Sequence, residues 1–239
     1  MNALSHIAEW LAFRRAAKAR GCSALAHRRW FGEWSRSSHG GATPLGDEQP
    51  WMTFAAVNFL RGWLRPHMSV FEWGSGGSTI FFARHAAHVL AVEHEMEWAE
   101  RVRAACAAKG CANAGVEHLA PEPEEGAAQW DSSDPSAFAS GGEQFCGLSF
   151  RRYVTAIDQF PDADFDLVVV DGRARPACLR RALAKVKPDG FVLLDNAERK
   201  HYAPAKALLD PARWEFHDFT GPGPYCRQFW QTHAWRRKG

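Results

Sequence analysis

The pattern of apolar and polar positions divides the chain into strand-like and helix-like segments that alternate. Short apolar runs at 70–73, 88–93 and 165–170 have the length and character of buried strands. Further strands are expected at 115–119 and 191–194, and helices at 51–64, 80–88, 96–109, 150–160, 177–186 and 203–209. Strands that alternate with helices predict an α/β fold in which helices cover both faces of a mostly parallel sheet.

The C-terminal part of the chain departs from this alternation. Segments 214–219 and 228–235 predict an antiparallel strand pair around the loop 220–225, whose turn type stays open. With this pair the expected architecture is a Rossmann-like, doubly wound sheet of seven strands.

The N-terminal part predicts a helical extension. Residues 2–35 carry an apolar stripe among basic residues, and residues 35–49 are rich in Ser, Gly and Pro, as in a linker. Such a basic amphipathic helix either packs on the protein's own core or binds a membrane surface or a partner. We therefore divide the chain into an extension with a linker, residues 1–49, and a domain, residues 50–239.

A polar insertion at about 121–149 interrupts the domain. Pro, Glu, Ser, Asp and Gly dominate it, and no hydrophobic period survives. Loops of this length are usually functional lids or disordered segments, and the composition leaves both open.

Composition is that of an ordinary globular protein. The chain has 46% hydrophobic residues, 23% charged residues and a formal net charge of +2, which does not indicate nucleic-acid binding. Its six cysteines form no CxxC pair or metal-ligand spacing, so we expect a reduced, cytoplasmic protein. No window approaches the roughly 18 apolar residues of a membrane span, so integral membrane association is not expected.

A glycine-rich turn, SVFEWGSGGST at 69–79, joins the first strand to the following helix. Glycines allow close backbone approach, and the free amides of a helix start favour an electron-rich or anionic group, so the turn predicts a nucleotide-type ligand. The carboxylate of Glu72 would repel a pyrophosphate but accept an amino group or a ribose hydroxyl. Glu93 lies 19 residues after Gly74, where dinucleotide-type folds use an acid to bind ribose. The third glycine of the nicotinamide motif would fall at 79, which is Thr79.

Further polar residues follow the later strands. Asp171 comes directly after the fourth strand, and Asp195 and Asn196 follow the fifth. Because ligands of doubly wound sheets bind beyond the carboxyl ends of the strands, these residues are candidates for the same site as Glu72 and Glu93.

Together with PDGFVLLDN at 188–196, these motifs resemble the class I S-adenosylmethionine-dependent methyltransferases over about residues 50–236. The resemblance implies that S-adenosylmethionine is the cofactor, bound by the first glycine motif and by the acid that ends the second strand. The matching cofactor-binding residues are Glu72, Gly74, Ser75, Gly76, Gly77, Ser78, Thr79 and Glu93.

A narrower resemblance is to metal-dependent O-methyltransferases similar to catechol O-methyltransferase. It implies Mg²⁺ as a second cofactor that orients the acceptor oxygen, with Asp171 and Asp195 as the catalytic residues. The metal ligands that it implies are Asp171, Asp195 and Asn196, whose oxygens suit Mg²⁺. The lysine base of that family would be position 174, where this chain has Ala174.

Arg173 and Arg175 flank that position. Arginine stays protonated, so these residues would serve an anionic substrate better than they would remove a proton. His201 and His217 are the remaining candidates for the base, and Trp73, Trp98 and Tyr202 are candidates for stacking on adenine or on the acceptor.

The sequence therefore predicts a methyltransferase that acts on a small molecule at a hydroxyl oxygen. A nucleotide-binding or nicotinamide-binding enzyme is one alternative, and a catalytically silent cofactor-binding protein that acts through its N-terminal arm is another. Nucleic acid is not an expected partner, and a homodimer is left open.

Overall fold

The computed structural model describes residues 7–8, 10–12, 14–15, 18, 27–39, 41–226 and 228–239. Its strands are β1 (Ser69–Trp73), β2 (His88–Glu93), β3 (Ala114–His118), β4 (Glu122–Pro123), β5 (Leu148–Ser149), β6 (Phe165–Val170), β7 (Val186–Asp195), β8 (Trp214–Pro222) and β9 (Phe229–Arg237). Its helices are α1 (Phe31–His39), α2 (Pro44–Asp47), α3 (Phe54–Trp63), α4 (Gly77–His85), α5 (Met96–Ala108), α6 (Arg151–Thr155), α7 (Arg175–Lys185) and α8 (Ala203–Lys206).

Seven strands form one sheet in the order β3-β2-β1-β6-β7-β9-β8. The pairs from β3 to β7 are parallel, and β9 is antiparallel to both β7 and β8. The predicted Rossmann-like, doubly wound sheet with an antiparallel C-terminal pair is confirmed. The order of the strands brings the carboxyl ends of β1, β2, β6 and β7 to one edge.

Helices cover both faces of the sheet because successive side chains of each strand point to opposite faces. Phe71 and Val168 share a core with α6, α7 and α8, whereas Val70 and Leu167 pack with α3 and α4. Strand β6 is buried along nearly its whole length, as its continuous apolar run predicts.

Two predicted boundaries are wrong at the level of several residues. Helix α4 starts at Gly77 rather than at 80, because the turn residues form its first turn. Strand β7 starts at Val186 rather than at 191, so the residues between the predicted helix at 177–186 and the predicted strand, among them Pro188, belong to the strand. The register against β6 shifts between Phe165 and Leu167, and such an irregularity tolerates a proline without an N–H group.

The insertion is an ordered loop. Strands β4 and β5 pair at its two ends, and Arg151 and Arg152 bond Glu124 and Glu122 at 2.6 Å each. Its polar composition therefore corresponds to a folded loop tied to α6.

Of the described residues in the predicted apolar stripe, Trp10 packs on the protein's own core, whereas Ile7 and Leu11 are 45% and 43% exposed. The Trp10 ring is buried and contacts Phe31, Trp34 and Phe229, with centroids 5.5, 5.0 and 6.5 Å away. The rest of the predicted helix at 2–26 lies outside the described residues. None of the described helices combines the length and apolar character needed to cross a bilayer.

The predicted linker contains the end of α1 and the single turn α2. Thr43 caps α2 by accepting a hydrogen bond from Gly46 N at 3.1 Å, and Pro44 takes the first helical position. Residues 44–49, here called the strap, lie against the start of α4. Glu48 in the strap pairs with Arg84 at 3.1 Å and with Lys109 at 2.8 Å.

Candidate active site

A cavity of about 620 Å³ opens at the carboxyl ends of the parallel strands, the edge where such sheets bind ligands. The glycine turn, the ends of β2 and β6, the insertion and the segment after β7 form its walls. The lining residues include Trp51, Gly74, Ser75, Ser78, Glu93, His94, Glu95, Trp98, Ser132, Gly141, Asp171, Arg173, Arg175, Arg199, His201 and Tyr202. The volume is in the range of pockets that hold a nucleoside-sized ligand together with a small second molecule.

The glycines of the turn have different structural roles. Gly74 has φ +93°, and a Cβ there would lie 2.9 Å from Gly172 Cα, so the close approach of the β1 and β6 ends requires glycine. Gly76 is extended, and the atom nearest to an added Cβ, on Trp98, is 3.9 Å away. A Cβ at Gly77 would overlap two carbonyl oxygens of the strap. Of the three, Gly74 lines the cavity.

Glu72 stabilises the turn from inside the protein. Thr79 Oγ1 accepts a hydrogen bond from Gly76 N at 3.0 Å and donates one to Glu72 Oε1. The Glu72 side chain is fully buried, and its Oε2 has no hydrogen-bond partner. Burial raises the pKa of Glu72 to about 8. The sequence predicts that this carboxylate points at the ligand, but neither Glu72 nor Thr79 lines the cavity.

Glu93 is at the cavity and accepts hydrogen bonds from the turn. Its Oε2 accepts from Ser75 N at 3.0 Å and Ser75 Oγ at 3.2 Å, and its Oε1 accepts from His94 N at 2.8 Å and Glu95 N at 3.1 Å. The Nδ1 atom of His94 lies 2.6 Å from Oε1. Burial opposes ionisation, but these groups outweigh it, so the pKa of Glu93 is below its ordinary value and the group is a carboxylate at neutral pH.

The guanidinium of Arg175 occupies the predicted metal position. Its Nε donates to Gly172 O at 3.0 Å, Nη1 donates to Asp195 O at 2.6 Å and Asn196 Oδ1 at 3.2 Å, and Nη2 donates to Asp171 O at 2.8 Å. Nη2 also lies 3.1 Å from Asp171 Oδ1. The side chain is 10% exposed, and each of its three nitrogens donates at least one hydrogen bond. A fixed cation thus bridges the ends of β6 and β7.

The predicted metal ligands do not fit a metal ion. Asp195 Oδ1 accepts hydrogen bonds from Trp230 Nε1 at 3.0 Å and from Thr232 Oγ1, so it binds β9. Burial raises the pKa of Asp195, which favours a neutral carboxyl group. With Asp171 and Asn196 also bound to a guanidinium, a divalent cation there would meet an adjacent positive charge. Among the described residues, no group of three or more His, Cys, Asp or Glu side chains is placed to hold a metal.

Of the histidine and aromatic candidates, some line the cavity and others lie away from it. His201, Trp98 and Tyr202 line the cavity. His217 packs against aromatic rings between β8 and α3, and Trp73 is a core residue whose Nε1 donates to a backbone carbonyl at 2.8 Å. Burial and then the charges of the neighbouring arginines lower the pKa of His201, so its imidazole is neutral at neutral pH.

Several lining residues were not predicted from the sequence. Trp51, which is 50% exposed, reads as part of an apolar helix pattern, and Arg199 lies in a segment without a motif. His94 follows Glu93 directly, so its position next to the expected ribose-binding acid is a signal that could have identified it. Ser132 and Gly141 come from the insertion, whose composition carries no signature.

Solved structures with a similar fold include methyltransferases. The O-methyltransferase TomG from Streptomyces achromogenes, in complex with SAM, superimposes with a TM-score of 0.53 at 17% identity, over 76% of this chain and 77% of that one. A methyltransferase-like protein from Silicibacter pomeroyi gives 0.53 at 20% identity, over 80% and 88%. This is the class I methyltransferase fold.

An rRNA methylase from Streptococcus thermophilus shares the methyltransferase fold with a TM-score of 0.53 at 9% identity, over 76% of this chain and 94% of that one. Profiles of known protein families give no match, and a search of characterised proteins gives no significant one. The resemblance predicted from the sequence is therefore confirmed as a resemblance of fold.

Proposed function

We propose that this chain is an S-adenosylmethionine-dependent methyltransferase that acts on a hydroxyl oxygen of a small molecule. The observation that carries the proposal is the cavity at the carboxyl ends of β1, β2 and β6, where the glycine turn meets the Glu93 carboxylate in a methyltransferase fold.

The residues present fit this cofactor. Glu93 gives the cavity a carboxylate that is ionised at neutral pH and lies beside the glycine turn, which suits a cationic nucleoside without phosphates. Hydrogen-bond donors of Ser75, His94 and Glu95 already surround the Glu93 carboxylate, but the longest of these bonds comes from the Ser75 hydroxyl, which can rotate away. A ribose hydroxyl is then able to replace it, while Ser75 N keeps the turn in place. Trp98 is held at the wall by its Nε1, which donates to Ser75 O at 2.7 Å.

Methyl transfer mainly requires that the methyl donor and the acceptor oxygen are aligned. When bound, the cofactor supplies an electrophilic methyl group for an in-line displacement. The protein has to orient the acceptor oxygen, exclude water and accept one proton. We assign the last role to His201, whose neutral imidazole lies at the cavity, and derive no step through a metal ion.

The cofactor assignment is tested by calorimetric titration with S-adenosylhomocysteine. We expect the wild-type protein to bind it, and Glu93→Gln to weaken binding at least about tenfold, because one of the two acceptor oxygens is lost. Glu117→Gln is the matched control: Glu117 is an exposed residue on the neighbouring strand β3, and its replacement should leave the affinity unchanged.

Absence of binding to the wild-type protein would refute the cofactor assignment and favour the nucleotide-binding alternative. Binding without methyl transfer to any hydroxylated acceptor would favour the catalytically silent alternative.

The base assignment predicts that His201 is neutral at pH 7. An NMR titration of the imidazole protons, assigned with a His201→Asn variant, should give a pKa below the ordinary 6.5. Arg199→Gln should raise this pKa, since the Arg199 charge is one of the causes of the shift. A pKa above 6.5 in the wild-type protein would contradict the assignment.

A further inference from the structure

Two arginines at the cavity, both in the described part of the chain, form no ion pair. Among the described residues, Arg173 and Arg199 have no carboxylate within ion-pair distance, whereas Arg175 between them is paired with Asp171. Arg173 follows β6 and Arg199 follows β7, so the two cations belong to neighbouring strand ends.

Neutral groups hold both arginines in place. The Arg173 guanidinium lies over the Phe145 ring, with Cζ 4.9 Å from its centroid. Arg199 donates from Nη1 to Tyr202 Oη and from Nη2 to Asn196 Oδ1, at 3.2 Å each. Neither set of contacts neutralises the charge, so two cations are available at the wall of a cavity.

Two of the carboxylates that line the same cavity are already committed. Glu93 accepts bonds from the turn, and Asp171 pairs with Arg175. Glu95 lies beside Glu93 at the end of β2, which is on the opposite side of β1 from β6 and β7. The cavity therefore has an acidic end at β2 and an unpaired basic end at β6 and β7.

We propose that Arg173 and Arg199 bind an anionic group, a carboxylate or a phosphate, of the small-molecule methyl acceptor. This inference rests on the proposed function and specifies its substrate class. Guanidinium groups bind both anions through paired N–H donors. Trp51, Trp98 and Tyr202 add aromatic surface to the same cavity, which favours an aryl acid.

The test uses two probes of the same shape that differ in charge, 4-hydroxybenzoate and 4-hydroxybenzamide. Each is titrated into the full-length protein with and without S-adenosylhomocysteine, at fixed ionic strength. We expect the benzoate to bind at least about tenfold more tightly than the amide. Arg173→Gln and Arg199→Gln should each remove most of that preference.

Arg65→Gln is the matched control, since this arginine precedes β1 at the opposite edge of the sheet and loses the same charge. It should leave the preference unchanged. All three variants should bind S-adenosylhomocysteine within about threefold of the wild-type affinity, which also shows that they are folded.

Equal binding of the two probes, or a preference that survives both substitutions, overturns the proposal. Loss of S-adenosylhomocysteine affinity in either cavity variant also overturns it, because the arginine would then bind the cofactor's own carboxylate. Tight binding of a single-stranded RNA decamer that both substitutions weaken, without a benzoate preference, overturns it in favour of a polyanion. If the wild-type protein fails to bind S-adenosylhomocysteine but keeps an arginine-dependent benzoate preference, the proposed function fails and the anion site stands.

Discussion

Arg175→Met is expected to lower the free energy of unfolding by about 3 to 5 kcal/mol. Methionine keeps an unbranched side chain but has no guanidinium. Asp171 and three carbonyl groups therefore lose the donor that they share. Urea-induced unfolding followed by circular dichroism measures the effect. Arg175→Lys keeps the charge but loses the planar fork, so its loss should be smaller.

Arg181→Met is the control for this substitution. Arg181 forms an ion pair with Asp158 in which the side chains are 40% and 37% exposed, so its removal should cost less than about 1 kcal/mol. If Arg175→Met cost as little as Arg181→Met, the guanidinium would not be what holds the ends of β6 and β7 together.

Glu72→Gln is expected to flatten the pH dependence of stability. The unfolded chain has already lost most of the Glu72 proton at pH 5, whereas the folded protein, with a pKa of about 8, keeps it until the pH approaches 8. The folded state binds more protons, so stability falls as pH rises, by about 3 to 4 kcal/mol between pH 5 and pH 8 from Glu72 alone. The glutamine variant should lack this part of the decrease.

Unfolding free energies at pH 5 and pH 8 are compared for the two proteins. Any cost of the new amide is the same at both pH values and cancels in the difference. Asp195 and Asp171, whose pKa values are also raised, contribute a decrease that both proteins share. Equal pH dependence in the wild-type and Glu72→Gln proteins would show that the buried group is ionised in the folded state.

The sequence predicts which strand ends form the site, because the end of a buried strand is recognised from neighbouring residues alone. Residues 167–170 are all apolar since both faces of β6 are covered there, and the polar residue after them therefore marks the site edge. Glu93 is likewise found at the end of β2, at the spacing expected for a ribose-binding acid.

The contacts between side chains within the site could not be predicted in the same way. The sequence matches a metal set at Asp171, Asp195 and Asn196, but Arg175 takes that position because its side chain, at the start of α7, reaches back to the residues that follow β6 and β7. Whether the oxygens at these positions bind a metal ion or an arginine depends on how far apart the ends of β6 and β7 lie. Trp51 belongs to an apolar pattern that predicts helix packing, and Arg199 lies in a segment without a motif, so the sequence does not indicate that either residue reaches the cavity.

The strap provides a reason, other than cofactor binding, for related sequences to keep glycine at position 77. Gly77 belongs to a motif associated with cofactor binding, yet the carbonyl oxygens of Pro44 and Gln49 are what exclude a side chain there. Its invariance in homologues would record the presence of the strap behind the turn. A relative that lacks residues 44–49 would be free to use alanine at this position without altering the cavity wall.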